Sequence, residues 1–81
     1  MRIPRDLDGN DLANALRKYG YKITRQTGSH MRLTTQQGDE HHITIPRHNP
    51  LRIGTLNSIL KDVTEHLKID RDELLKSLFG K

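Results

Sequence analysis

The sequence has no cysteine and no tryptophan, and its aromatic side chains are two tyrosines and one phenylalanine. The lack of cysteine excludes disulfide bonds, thiolate nucleophiles and cysteine-based zinc sites together. No apolar run reaches the length of a membrane span or of a signal-peptide core, so we expect a cytoplasmic protein that does not contact the membrane. Because the chain has 81 residues, we expect a single domain over residues 1–81.

Acidic residues are missing from one long segment of the chain. The net charge is +4, and no Asp or Glu lies between Leu12 and Gly38. That segment contains five basic residues, Arg17, Lys18, Lys22, Arg25 and Arg32. From Ile53 to the last residue, five basic and five acidic side chains balance each other. Positive charge concentrated in this way favours a polyanionic partner such as nucleic acid, although a solvated basic face has the same signature.

The spacing of apolar residues predicts one helix followed by three strands. Asp8 or Asn10 is the expected cap of a helix over Asp11–Tyr19, which Gly20 ends. Three alternating segments follow, separated by turns at residues 27–29 and 36–40. They predict strands at residues 21–26, 30–35 and 41–45, the last of which Pro46 ends.

Helical spacing returns in the last third of the chain. Thr55 is the expected cap of a second helix that ends at Leu67, and Asp70 to Glu73 matches a capping-box pattern. This pattern predicts a short additional helix over residues 70–79, closed by Gly80. The element order predicts an α+β fold, α-β-β-β-α, in which a three-stranded antiparallel sheet packs on helices and a C-terminal helix is added.

Alternation with a period of two assigns the strand residues to two faces of the sheet. The face toward the helices is expected to hold the apolar members, Tyr21, Ile23, Met31, Leu33, Ile43 and Ile45. The solvent face is expected to hold the polar members, Lys22, Thr24, Gln26, His30, Arg32, Thr34, His42 and Thr44. His30 and Arg32 are therefore expected on one solvent-facing surface.

The stretch Gly28-Ser29-His30 is the main candidate for chemistry. Gly28 suggests a tight backbone path, since glycine tolerates a positive φ. Ser29 contributes a small hydroxyl group, and histidine is the side-chain type whose unperturbed pKa lies near neutrality. His30 is thus a candidate general acid or base at the start of a strand, and the alternative is an ordinary surface histidine after a turn.

A metal site is a weaker possibility at Asp39-Glu40-His41-His42. Imidazole and carboxylate groups are common metal ligands. Neighbouring residues of a strand point to opposite faces, so His41 and His42 are not expected to ligate one ion. We therefore predict no metal site in this sequence.

Three ordered segments of the chain resemble the HicA toxins of bacterial and archaeal toxin–antitoxin systems. The first runs through the helix and strand to the Gly28-Ser29-His30 turn. The second runs from Gly38 to His48 and ends in a Pro-x-His motif. The third, Gly54-Thr-Leu-Asn-Ser-Ile-Leu-Lys61, is similar to the start of the second helix of the family. Together they span most of the chain, roughly residues 12–67.

The resemblance implies a fold like that of double-stranded-RNA-binding domains, an mRNA-cleaving activity and a HicB-type antitoxin as partner. The essential histidine of the family corresponds to His30, which would act as general acid or base without a metal or another cofactor. Candidate RNA-binding residues are Lys22, Arg25, Ser29, Arg32 and Lys61. Two alternatives remain open, a module that binds RNA without cleaving it and a domain that binds an acidic protein.

Overall fold

The structure is a computed structural model, and it describes residues 6–80. Its elements in chain order are α1 (Gly9–Leu16, continued by a 3-10 turn, Arg17–Tyr19), β1 (Lys22–Gln26), β2 (His30–Thr35), β3 (His41–Pro46), α2 (Ile53–Leu67) and α3 (Arg71–Phe79). The predicted α+β class and element order are confirmed. Residues 1–7 follow neither a helical nor a strand pattern in the sequence, and the irregular lead-in expected there falls mostly outside the described residues. In the described part of the chain, none of the helices has the length and apolar character needed to cross a membrane.

The three strands form one antiparallel sheet in the order β1-β2-β3. Along β2 and β3, His30 lies opposite Pro46 and Arg32 lies opposite Thr44. The side chains of Met31 and Leu33 are fully buried, whereas the alternating residues of β2 are exposed or half-buried. The helices therefore cover one face of the sheet and leave the other open to solvent.

The core forms where the helices meet the covered face of the sheet. The apolar residues with helical spacing in α2 and α3 are buried, except Leu67, which packs against the edge of the core; the buried ones are Leu56, Ile59, Leu60, Val63, Leu74, Leu75 and Leu78. Three core residues were not predicted, Leu7, Ala13 and Leu51. Leu7 and Leu51 come from segments without periodicity, and they are joined by a hydrogen bond from the Leu51 N–H to the Leu7 carbonyl oxygen at 2.8 Å.

The first helix begins two residues earlier than predicted and is capped by Asp8. The Asp11 N–H donates to Asp8 Oδ1 at 2.8 Å, and the Asp8 N–H donates back to Asp11 Oδ2 at 3.2 Å, which completes a capping box. Gly9 follows the cap at a close approach to β3, where a Cβ would overlap the carbonyl oxygen of Pro46. At the other end, Gly20 has a φ of 82° and ends the helix as predicted.

Two predicted caps are wrong. Helix α2 begins at Ile53, with Arg52 in the cap position, because the Leu56 N–H already donates to the Arg52 carbonyl oxygen at 2.9 Å. Thr55 therefore lies inside the first turn. Asp70 does occupy the cap position of α3, but its side chain accepts no hydrogen bond there, so the predicted capping box is not formed.

Strand β1 departs from regular alternation. Ile23 lies opposite the buried Leu33, on the face predicted for it, but it is 48% exposed because β1 is an edge strand and the helices pack mainly on β3, at the other edge. The register shifts between Ile23 and Arg25, so that Gln26 lies opposite the buried Met31. The prediction that Gln26 shares the solvent face with His30 is therefore wrong, and Arg25 takes that place opposite Arg32.

Candidate active site

His30 lies at the junction between the turn of residues 27–29 and β2, and backbone bonds fix its position. The His30 N–H donates to Thr27 Oγ1 at 3.2 Å, and the Thr27 N–H donates to the His30 carbonyl oxygen at 2.9 Å. The Arg47 N–H, beyond the end of β3, donates to the Ser29 carbonyl oxygen at 2.8 Å. The main chain on both sides of the histidine is thus held by hydrogen bonds.

The chain turns within three residues, as expected, but Gly28 does not take the positive φ that glycine would permit. Its φ lies outside the left-handed region, and a Cβ at this position would meet no atom within 4 Å. A small residue is therefore not required here for the fold. Thr27 closes the turn instead, through its hydroxyl and its N–H, because threonine side chains readily bond to nearby backbone groups.

The side chain of His30 is exposed and is oriented by its neighbour in sequence. Ser29 Oγ lies 2.9 Å from His30 Nδ1, so one ring nitrogen is engaged in a hydrogen bond. Within residues 6–80, no hydrogen bond involves the other nitrogen, Nε2. A histidine held at Nδ1 and open at Nε2 can exchange a proton with a bound molecule.

The uncovered side of the sheet, which we call the open face, is polar throughout. Register and hydrogen bonds assign to it Lys22, Thr24, Arg25, His30, Arg32, Thr34, His42 and Thr44. Of the predicted binding residues, Lys22, Arg25 and Arg32 are therefore brought onto the same face as His30. Lys61 is not, because it lies on the exposed side of α2, which packs against the covered face of the sheet.

Positive charge on the open face is neutralised only in part, since the Glu40 carboxylate interacts with the charge of Arg32 without forming an ion pair with it. In the described part of the chain the ion pairs are His41–Asp62 and His42–Glu40. Arg25 and Arg32 take part in neither, and they lie directly opposite each other on neighbouring strands. Like charges in this position destabilise a sheet, so the arrangement is one that an anion would stabilise.

A chain of hydrogen bonds crosses the open face at the end away from His30. Thr24 Oγ1 and Thr34 Oγ1 share a hydrogen bond at 2.8 Å, and Thr34 Oγ1 lies 2.7 Å from His42 Nδ1. His42 Nε2 then lies 3.4 Å from Glu40 Oε2. A hydrogen bond from Gln36 and the charge of His42 lower the pKa of Glu40. These contacts fix His42 as part of a structural network.

His41 lies on the opposite side of the sheet from His42, as alternation predicts. Its Nδ1 is 2.8 Å from the Tyr21 hydroxyl, and its Nε2 is 3.3 Å from Asp62 Oδ1. Its ring stacks on that of His66, with centroids 4.2 Å apart. Within residues 6–80, no three His, Cys, Asp or Glu side chains are grouped so that they could hold a metal ion.

Tyr21 carries the one strongly shifted acid–base group of this cluster. Its side chain is fully buried, and burial together with the charge of Asp62 raises its pKa to about 12. The hydroxyl therefore stays protonated at neutral pH, and it donates to His41 Nδ1 when the neutral His41 ring carries its proton on Nε2, facing Asp62 Oδ1. This group stabilises the contact between β3 and α2 and does not reach the open face.

Comparison with known proteins identifies one family. The family model described as HicA toxin of bacterial toxin-antitoxin matches residues 9–64, which is more than half of the chain. The matched part runs from α1 into α2 and includes the turn that carries His30. No curated protein and no solved structure matches the chain.

Proposed function

The chain belongs to the family of HicA toxins of bacterial toxin–antitoxin systems, and we propose from this premise that it is an endoribonuclease that cleaves mRNA without a metal ion. His30 is the proposed general acid–base residue. The observation that carries the proposal is the exposed His30 ring, held at Nδ1 by Ser29 and unbonded at Nε2 within residues 6–80, on a basic face.

The proposed reaction is attack of a ribose 2′-hydroxyl on the adjacent phosphodiester. Nε2 of neutral His30 takes the proton of the 2′-hydroxyl while the O2′–P bond forms and the P–O5′ bond breaks. The leaving 5′-oxygen takes up a proton from water, and His30 later returns its proton to the solvent, which gives a 2′,3′-cyclic phosphate and a 5′-hydroxyl end. Ser29 supports this role, since its hydroxyl can accept from His30 in the tautomer that carries the proton on Nδ1, and that tautomer has a lone pair on Nε2.

The cationic residues of the open face are proposed to bind the RNA backbone. Arg32 is two residues from His30 along β2, where its guanidinium group can bind a backbone phosphate near the histidine. Lys22 and Arg25 extend the positive surface onto β1. Lys61 would contact RNA only if the strand passed round to the helical side, so we assign it the weakest role.

The direct test compares the wild type, His30→Ala and His42→Gln on a long mRNA in the presence of EDTA. We expect the wild type and His42→Gln to cleave and the rate of His30→Ala to fall at least a hundredfold. His42 is the matched control because it is another exposed histidine of the open face, engaged with Thr34 and Glu40. Equal cleavage by His30→Ala, with the fold intact by circular dichroism, would exclude the proposed mechanism.

A second candidate is a module that binds RNA without cleaving it. Cleavage needs both a general base and a general acid. In the described part of the chain, His30 is the one histidine of the open face with a ring nitrogen that makes no hydrogen bond, so the face offers one candidate for two roles. Binding by both wild type and His30→Ala, with no product from either, would support this candidate.

We also propose that a HicB-type antitoxin is the protein partner, in line with the family.

A further inference from the structure

Strand β1 contains one residue more than regular pairing with β2 allows. Ile23 lies opposite Leu33, and the next paired residue is Arg25, opposite Arg32. Thr24 is therefore the extra residue of a β-bulge. Bulges occur often beside active sites, where they change the direction of a side chain.

The bulge decides on which face Arg25 lies. In regular pairing, Thr24 would lie opposite Arg32 and Arg25 opposite the fully buried Met31. Directly opposite residues share a face, so Arg25 would then lie on the covered face. With Thr24 inserted, Arg25 joins Arg32 on the open face instead.

Two hydrogen bonds hold the bulge. Thr24 Oγ1 shares a hydrogen bond with Thr34 Oγ1 at 2.8 Å and donates to the Arg32 carbonyl oxygen at 3.4 Å. Both partners belong to β2, so these bonds attach the extra residue to the strand that carries Arg32. The arrangement is thus built into the sheet.

We propose that Arg25 and Arg32 together form a second phosphate subsite, which holds the phosphodiester next to the one that His30 cleaves. The inference rests on the proposed function and deepens it. Opposite Cα atoms of an antiparallel pair are about 5 Å apart, so both guanidinium groups can contact one phosphate. His30 lies two residues along β2, about 7 Å away, on the same face. The subsite is therefore one step along the RNA strand from the histidine.

The open face has no Phe, Tyr or Trp on which a base could stack. Binding of unpaired bases commonly uses aromatic platforms. The three aromatic residues of this chain lie elsewhere, since Tyr21 is buried and Tyr19 and Phe79 pack against the core. The subsite therefore contacts the backbone of the RNA and tolerates any sequence, because phosphate contacts carry no sequence information.

The test measures binding of an RNA probe that the protein cannot cleave. The probe is a fluorescent 12-nucleotide RNA with 2′-O-methyl groups throughout, made as oligo-U, oligo-A and oligo-C. The variants are Arg25→Gln, Arg32→Gln and the double substitution, with Lys76→Gln as the control for loss of one exposed positive charge on α3.

We expect each single arginine variant to bind about tenfold more weakly, as for loss of a charged hydrogen bond. The double variant is expected to bind little more weakly than either single variant, because both side chains bind one phosphate. In the double variant, the magnitude of the slope of log K against log salt should be about 0.7 smaller than in the wild type, as for loss of one phosphate contact. Lys76→Gln should stay within twofold of the wild type. Deletion of Thr24 should leave binding close to that of the wild type, because the shortened strand then pairs regularly and Arg25 stays opposite Arg32.

Several outcomes would overturn the subsite. They are unchanged binding by the arginine variants, additive losses in the double variant, or a preference above tenfold among the three sequences. The cycle of arginine variants decides the question even if deletion of Thr24 prevents folding. If the wild type cleaves mRNA but the arginines have no effect on binding, the subsite fails and the nuclease stands. If the wild type binds the probe through the arginines but cleaves nothing, the phosphate subsite stands and the proposed nuclease activity fails.

Discussion

The substitution Tyr21→Phe gives the sharpest test of the packing between β3 and α2. It removes one hydroxyl from a fully buried side chain and leaves the ring in place. At neutral pH the change removes the hydrogen bond to His41 Nδ1, and we expect it to lower the free energy of unfolding by about 1 kcal/mol.

The same substitution should have the opposite effect at high pH. Burial, with the charge of Asp62, raises the pKa of Tyr21 from 10.0 to about 12. A group with a raised pKa in the folded state contributes stability that is complete below its unfolded pKa and is lost as the pH rises toward the folded one. At pH 11 this loss amounts to about 1.4 kcal/mol in the wild type, and Tyr21→Phe is free of it.

The stabilities of the two proteins should therefore cross between about pH 10 and pH 11. Urea unfolding at intervals from pH 8 to pH 11 measures both curves, and their difference cancels the titration of the lysines. Absorbance at 295 nm in a Tyr19→Phe background follows ionisation of Tyr21 alone. Parallel curves, with Tyr21→Phe less stable by the same amount at every pH, would refute the assignment of Tyr21 as a buried, protonated donor.

Three further predictions concern single side chains. Gly9→Ala should lower the free energy of unfolding by about 1–3 kcal/mol in urea titrations, because its Cβ would overlap the Pro46 carbonyl oxygen. Gly54→Ala is its matched control, and it should raise that free energy by about 0.5–1 kcal/mol, since it lies in a helix with no atom near the new methyl group. Ser29→Ala should lower kcat about tenfold at unchanged RNA affinity, because its hydroxyl orients His30. Thr35→Val should lower the melting temperature and cost about 1–3 kcal/mol, because the buried hydroxyl bonds two backbone groups.

Each of these has a result that would contradict it. Equal stability of Gly9→Ala and the wild type would mean that α1 can move away from β3 at no cost. A loss of RNA affinity in Ser29→Ala would make Ser29 a binding residue, as its place among the predicted RNA-binding residues implies. A neutral Thr35→Val would show that water replaces the hydroxyl at Tyr19 and Gln37.

Periodicity predicted the elements and most of the core, because helices and regular strands repeat their contacts. It did not predict the partner of Arg25. Alternation assumes one residue opposite one residue, and the five-residue strand that contains Thr24 has no glycine or proline to indicate a bulge. The exposure of Ile23 was missed for a related reason, since a single strand does not indicate that it lies at the edge of a sheet.

The candidate site was predictable at His30 and less so around it. The sequence itself shows a histidine after a Gly-Ser turn, and the bond between His30 and Ser29 joins neighbouring residues of the chain. The anchoring of the turn by Arg47 depends on how β3 ends beside β2, which only the three-dimensional register shows. Thr27 could have been found earlier, since threonine in a turn is a known signal for side-chain bonds to the backbone.

The unpaired outer edge of β1 has a consequence for the behaviour of the protein at high concentration. A free strand edge invites pairing with another copy, and proteins commonly prevent this with positive charges and bulges. In the described part of the chain, β1 has strand β2 on one side only, and it combines Lys22, Arg25 and the bulge at Thr24. The cations proposed to bind phosphate are thus also placed to oppose edge-to-edge pairing, so we expect a variant that loses them to aggregate more readily.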